Sequence, residues 1–357
     1  YIIYHLVSRY LNIIGVFDSY MISTGETNGE LYMTYVFGAG ITGITTAYYL
    51  AKAGYKVTVV DKNPEVAMET SFANGCQLSA SNAEVWNSWR NIKKGIKWMM
   101  SKDAPLLINP LPSFHKYGWL AQFMMNIKHR EQNTIETCEM ALEAHTLYKE
   151  ILHEEGVQDV NIFKVNRGIM HIYRNPAELE HARRTNELYK KAGLNRWEVS
   201  PEEMLSIEPT LAETKDSIVG GFYNDEDFTA DIRLFCVKMS EILKEKYDVK
   251  FVQENLNPFS VFKYRQLGPV FVCAGCGSRD LLEQAEIFLP IYPVKGYSIT
   301  VRLKSTWRHA PWTSILDDET KIVCSRLGDT LRVAGTAEFA GYNKKIKDSR
   351  VKPLVDW

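Results

Sequence analysis

The residues with the clearest chemical purpose are Gly38-Ala39-Gly40-Ile41-Thr42-Gly43. Glycines at the first, third and sixth positions suit a turn that holds a pyrophosphate. Gly38 permits the tight bend, Gly40 lets the backbone approach the anion, and Gly43 lets the following helix close onto its strand. Ala39, Ile41 and Thr42 complete the turn and bring backbone N–H groups to the positive end of a helix. Asp61 lies 23 residues beyond Gly38 at the end of the next apolar run. A carboxylate there accepts hydrogen bonds from ribose hydroxyls and fits a free 2′-hydroxyl, which points to FAD or NAD rather than NADP. The plainer alternative is a strand–helix turn with no ligand, and the flanking strand, helix and acid argue against it.

Two later segments bear on which dinucleotide is held. Lys62-Asn63-Pro64 and Glu69-Thr70-Ser71-Phe72-Ala73-Asn74-Gly75 follow Asp61. Lys62, Thr70, Ser71, Asn74 and Gly75 suit the second phosphate and a flavin, whereas an NAD enzyme has no evident use for such a loop. Val270 to Ser278 reads as a strand entering a turn of small residues, where Ala274 and Gly275 return the chain to the same cofactor.

Other patterns lead to blander readings. Cys273-Ala274-Gly275-Cys276 has redox or zinc spacing, but a zinc site wants a second pair, and the six scattered cysteines read as reduced, buried hydrophobes. Asp225, Asp227, Thr229 and Asp231 alternate like a calcium loop, yet Ala230 and Cys236 stand where glycine and glutamate are required. A turn with Asp231 capping a helix is the simpler account. No histidine pair has metal-ligand spacing, so no metal site is expected, and His145 is placed on a helix surface.

These residues need a scaffold. Met33 to Lys62 divides into a strand, the glycine turn, a helix stopped by Gly54, and a second strand over 56–60, which is a βαβ unit. Residues 88–130 read as short helices and a loop, and 132–155 as one long helix stopped by Gly156. Strands over 168–173, 220–223, 297–303, 321–324 and 330–334, with helices over 177–192 and 231–246, imply a second, mixed sheet. The fold class is therefore α/β, with a Rossmann-like dinucleotide domain, discontinuous in sequence, and a second mixed β-sheet substrate domain. The boundaries read as an amino-terminal extension over 1–32, a cofactor domain over 33–92 plus about 200–290, a substrate or cap domain over about 93–199 plus 291–346, and a tail over 347–357.

Forty-two basic residues against 43 acids leave a net charge of −1, so no global field draws this chain to nucleic acid. The uncharged run 31–51 contains three glycines and reads as strand, turn and helix, not as a membrane span. Residues 1–22 are apolar but interrupted by His5, Arg9, Asn12 and Asp18. That segment reads either as the remains of an organelle-targeting region, with a mitochondrial or similar address, or as a docking extension for a protein partner.

The chain resembles the glycine/D-amino-acid oxidase-like flavoenzymes, most closely the FAD-dependent D-amino-acid dehydrogenases of the small-subunit type. The resemblance is carried by the glycine turn, VTVVDKNP at 57–64, ETSFANG at 69–75, GIKWMMSKDAPL at 95–106, VFVCAGCGS at 270–278, YPVKGYSIT at 292–300 and DETKI at 318–322. It implies FAD as cofactor and oxidative deamination of a small amino acid, with electrons passing to a quinone or another acceptor. It also makes Lys295, Tyr297 and Arg326 candidates for the substrate side, and implies the cytoplasmic face of a bacterial inner membrane as an alternative address. The family pattern continues beyond Trp357 into a segment with a substrate-binding arginine and a second glycine-rich stretch. That departure, with the amino-terminal extension, leaves a second expectation: a flavoprotein-derived structural subunit of a larger assembly. An NAD-dependent dehydrogenase would need a second domain without the YPVKGYSIT and ETSFANG patterns.

Overall fold

The computed structural model describes residues 33–99, 106–108, 113–158, 167–283, 285–304 and 307–357. The targeting and docking readings of residues 1–32 lie outside them. The chain forms two compact units, the first comprising residues 33–72 with Ile232–Ile291 and the second comprising Ala73–Asp231 with Tyr292–Trp357.

The first unit opens with β1 (Met33–Phe37), α1 (Ile41–Lys52) and β2 (Lys56–Asp61). Both strands are buried along nearly their whole length, as a parallel sheet covered on both faces requires. The chain then enters the second unit through β3 (Gln77–Leu78), α2 (Trp89–Met99), β4 (Leu106–Ile108), α3 (Phe114–Met125) and α4 (Arg130–Glu154). It continues there through β5 (Ile169–Tyr173), α5 (Pro176–Lys191), β6 (Trp197–Val199), α6 (Pro201–Ile207), β7 (Gly220–Asn224) and β8 (Phe228–Thr229).

It returns to the first unit as α7 (Ile232–Tyr247), β9 (Lys250–Gln253), α8 (Pro258–Arg265), β10 (Val270–Val272) and α9 (Ser278–Glu283). The sheet order there is β10-β1-β2-β9, all parallel. Tyr48 of α1 meets Tyr247 of α7 edge-on at 5.7 Å, and Tyr264 of α8 packs on Tyr35 and Phe37. Helix α8 replaces what the sequence reading left without an element. Its signal was local: Asn257 caps the helix, Pro258 opens it, and Ser260 Oγ accepts a hydrogen bond from the Asn257 amide.

The last stretch adds β11 (Lys295–Arg302), β12 (Ser314–Asp317), β13 (Ile322–Leu327), β14 (Thr330–Phe339) and α10 (Asp348–Asp356) to the second unit. Its main sheet runs β11-β14-β13-β12-β5-β7-β6, with β4 beside β14. The β5–β12 and β4–β14 pairs are parallel and the rest antiparallel. Met170, Ile172, Tyr297, Ile315, Cys324, Val333 and Leu354 share its core.

The boundaries differ from the sequence reading in two places. Residues 73–92 and 200–231 belong to the second unit, because β3 pairs with β8 while β6 and β7 extend the sheet from β5. Residues 347–357 are not a tail: α10 buries Arg350 and Leu354 against the same sheet. Long-range strand pairing decided the first and packing of α10 on the sheet the second, and no local pattern reports either.

Candidate active site

The glycine turn is held by its own unit. Gly38 has φ +108°, and a Cβ there would lie 2.5 Å from the Cys273 carbonyl oxygen. A Cβ on Gly43 would collide with the Gly38 carbonyl. Both glycines are therefore demanded by close backbone approach. Gly40 is different: its φ of −76° suits any residue, and its Cβ would meet only the Ser71 hydroxyl, at 3.3 Å. Its lack of a side chain keeps open space in front of the helix. Helix α1 starts there without a side-chain cap, and the Gly40, Thr42 and Gly43 amides have no protein partner among the described residues. Open amides at a helix start behind a bare glycine fit a pyrophosphate.

Asp61 does more than the sequence suggests. Its Oδ2 accepts the Ala39 amide at 2.8 Å, while Oδ1 accepts the backbone and side-chain N–H groups of Asn63 at 2.8 and 3.0 Å. A carboxylate offers about four acceptor sites, so room remains for a ribose hydroxyl. Ala39 is gripped at its other end too, because the Ala67 amide donates to its carbonyl at 2.9 Å. Asn63 and Ala67 were missed by sequence reasoning. Asn63 stood beside Asp61 in view, whereas Ala67 acts through its left-handed backbone, with φ 58°, which no side chain announces.

The other predicted cofactor residues divide. Ser71 is buried and accepts the Ile41 amide at 3.0 Å. Ala274 and Gly275 lie in the turn after β10 that abuts Gly38, and the Cys273 amide donates to Phe37 at 2.7 Å. Lys62 pairs with Glu69 at 2.6 Å, and Thr70 is exposed. In the second unit the Asn74 side chain accepts the Cys76 amide, and Gly75 packs so tightly on β13 that a Cβ would meet Val323 at 2.8 Å. The CxxC thiols are both raised by burial, so neither is poised as a thiolate.

The second unit brings Lys295 and Tyr297 together but not Arg326. Buried Glu338 of β14 accepts Tyr297 Oη at 2.7 Å, pairs with Lys295 at 3.0 Å and also takes Lys347. Burial alone would raise its carboxyl, but the hydrogen bonds from Lys347, Tyr297 and Lys295 outweigh it and hold the pKa at about 2. Arg326 is elsewhere. It faces Leu331 on β14, whereas Tyr297 faces Gly335, roughly 13 Å farther along the strand at the usual rise per residue. Its guanidinium stacks 3.6 Å over Trp312 and donates to the Ala310 and Gly328 carbonyls. The expected trio is thus a Lys295–Tyr297–Glu338–Lys347 cluster with Arg326 apart. Glu338 and Lys347 were not foreseen, because they reach the others only through strand register and the helix after it.

Asp227 is an internal anchor. Fully buried, it accepts Ser81 Oγ at 2.5 Å, the Ala80 and Ser81 amides, and Ser79 Oγ. Ser81 Oγ also meets His171 Nε2 at 2.7 Å. Burial raises the Asp227 carboxyl against these bonds and pushes the His171 imidazole well below its usual range, towards the neutral form. His145 is not on a surface: it is buried, with its ring 4.9 Å from Phe228 and Nδ1 4.0 Å from Asp227. His145 lies seven residues after Cys138 and so shares the face of α4 that buries Thr134, Cys138, Tyr148 and Leu152. Among the described residues, no group of three or more His, Cys, Asp or Glu side chains could hold a metal, and no helix is long and apolar enough to cross a membrane.

Comparison with known proteins agrees with this geometry. Residues 34–357 match the family of FAD dependent oxidoreductases. The chain is 46% identical over 338 residues to D-amino acid dehydrogenase 3 of Mesorhizobium japonicum, covering 90% of this chain and 81% of that one. Identity to the D-amino acid dehydrogenase of Paramagnetospirillum magneticum is 37% over 340 residues, covering 90% and 78%. Among solved structures, glycine oxidase from Geobacillus kaustophilus shares the fold with a TM-score of 0.64 at 15% identity, covering 91% of this chain and 77% of that one. L-proline dehydrogenase from P. horikoshii also gives 0.64, at 16% identity with 92% and 76% covered. The pyrophosphate turn, the flavin-loop sequence and the mixed second sheet have one common explanation: the chain belongs to the FAD-dependent oxidoreductase family and, within it, to the D-amino acid dehydrogenases.

Proposed function

We propose that the protein catalyses FAD-dependent oxidative deamination of a D-amino acid to the corresponding keto acid. FAD, which Gly38 to Gly43, Asp61 and Ser71 would hold, would supply the two-electron oxidation of the amine to an imine, and the imino acid would take up water to give keto acid and ammonia. The observation that carries the reading is the bare start of α1, with open amides behind Gly40 and Asp61 locking the turn.

The chain's own residues bind and orient. Gly38 to Gly43 receive the pyrophosphate, Asp61 has acceptor capacity for the ribose, and Ser71 fixes the first helical amide. On the substrate side, Tyr297 is oriented by Glu338, and the Lys295 charge is balanced by the same carboxylate. We assign that cluster to shaping the substrate surface rather than to anchoring a carboxylate, which needs an uncompensated cation. Arg326 is assigned to the support of its own strand by its stacking on Trp312. Hydride loss requires an unprotonated amine, so turnover should rise with pH.

A quinone or another carrier is proposed as the electron acceptor, in keeping with the dehydrogenase names of the relatives. The comparisons lend no support to a purely structural subunit, nor to a mitochondrial address. The cytoplasmic face of a bacterial inner membrane is kept as the proposed location, because the named relatives are bacterial.

The deciding experiment is a visible spectrum of the purified protein, followed by anaerobic addition of D-amino acids. Flavin absorbance that bleaches with a D-amino acid and not with its L-enantiomer is the expected result. A flavin-loaded protein that no D-amino acid reduces would overturn the reading.

A further inference from the structure

Between Glu84 and Glu131, within the second unit, the chain changes character. That stretch holds eight lysines and arginines against one acid, Asp103, in a protein whose net charge is −1. It also holds four of the chain's eight tryptophans, and two of those, Trp86 and Trp89, are exposed.

Helix α3 lies in this stretch and is apolar on two opposite faces. Its start is fixed by Ser113, which caps it by accepting the Lys116 amide at 3.3 Å. One face packs inward: Trp119 stacks on Phe123 at 5.2 Å and meets Phe339 of β14 at 5.7 Å, while His115 stacks on Tyr292 at 5.5 Å. On the other side Phe114, Tyr117, Ala121, Met124 and Met125 recur three or four residues apart, and all five are exposed. At 3.6 residues per turn they share an arc of about 100°, with Trp119 and Phe123 across from it. Phe114 is fully exposed and Met125 is 71% exposed. A surface helix in water turns its polar groups outward, so an outward apolar stripe marks a surface that something apolar covers.

Charge decides what covers it. The sequence has no acid from 104 to 130, and Lys128 and His129 are exposed in the turn after α3. An aromatic and methionine stripe edged by bases suits the headgroup layer of an anionic bilayer. Apolar side chains there enter the acyl boundary, a tyrosine sits at headgroup level, and lysines meet the lipid charge. We propose that the outer face of α3 docks the protein on an anionic lipid bilayer. With 12 residues the helix is too short to span and lies in the interface. This rests on the membrane-face location proposed above and names the surface that serves it.

The test is co-sedimentation of the purified protein with vesicles of phosphatidylglycerol and phosphatidylethanolamine, and with neutral phosphatidylcholine vesicles. Wild type is compared with Phe114→Ser, Met125→Ser and Lys128→Gln, with melting curves as the folding control and size-exclusion chromatography to read self-association. Wild type should partition onto the anionic vesicles, less onto the neutral ones, and less again at high salt. Phe114→Ser should lower partitioning roughly tenfold, Met125→Ser a few-fold, and Lys128→Gln roughly fivefold on the anionic vesicles alone. If Phe114→Ser does not fold, Met125→Ser decides. Wild-type partitioning in every folded variant would overturn the assignment of α3 and leave the membrane location standing. A wild type that stays in solution with both kinds of vesicle would overturn both. Self-association without vesicle binding, lost in Phe114→Ser, would overturn the proposal by giving the face to a second copy of the chain.

Discussion

The glycine turn of the first unit and the Glu338 cluster of the second solve different problems. The turn is built from backbone: two glycines that cannot carry a Cβ, one that keeps space open, and amides at a helix start. Nearly every part lies within 29 residues, from Met33 to Asp61. The Glu338 cluster is built from side-chain charges drawn from β11, β14 and the segment before α10. A backbone site tolerates almost any neighbouring side chain but no added Cβ at its contact points. A charge cluster tolerates backbone drift but not the loss of its central carboxylate.

The largest expected effect separates Gly38 from Gly40. Gly38→Val places a β-branched residue at positive φ against the Cys273 carbonyl and should cost about 4 kcal/mol in unfolding free energy, summing strain and overpacking. Gly40→Val should leave stability within about 1 kcal/mol, since its backbone is ordinary, and still abolish FAD retention. Denaturant unfolding beside flavin absorbance reads both. Equal destabilisation by the two would remove the distinction between a packing glycine and a ligand glycine.

Next is Glu338→Ala, which leaves Tyr297 and two lysines without their shared acceptor and should cost roughly 3 kcal/mol. The same group sets an acid response. Its folded pKa of about 2 lies below the ordinary 4.5, so its contribution is full above 4.5 and is lost as pH falls from there towards 2. A wild-type stability profile over that interval should fall more steeply than that of Glu338→Gln. Parallel profiles would mean that the cluster does not hold Glu338 ionised.

Asp61→Ala should weaken FAD binding by roughly 2 kcal/mol, because both the ribose acceptor and the lock on the Ala39 amide are lost. Isothermal titration with FAD checks it, and an unchanged affinity would assign Asp61 to the turn alone. The smallest effect is expected from Cys276→Ser, which should move neither turnover nor stability beyond about 0.5 kcal/mol. A large loss of turnover there would revive the CxxC as a working dithiol.

Legibility followed the same division. The strand, turn and helix around Gly38, Gly40 and Gly43, with the second strand ending at Asp61, were readable because that spacing follows from strand and helix geometry. Strands β5, β7, β11, β13 and β14 were readable from composition, and α4, α5 and α7 from periodicity. What escaped were the roles of His145, Asp227, Glu338 and Lys347. Each works through a partner in another segment, 9 to 146 residues away in the chain.

The sequence alone determined the βαβ frame, which depends on local backbone demands that glycines and one acid must meet in order, while the motifs at 57–64, 69–75, 270–278 and 292–300 carried the resemblance that implied FAD and the family. Tertiary structure decided which residues 73–92 and 200–231 accompany, why Arg326 stands apart from Tyr297, and which side chains surround Glu338. The physical reason is strand register. It sets neighbours through hydrogen bonds between distant segments, and a shift of one residue would turn each of those side chains to the opposite face.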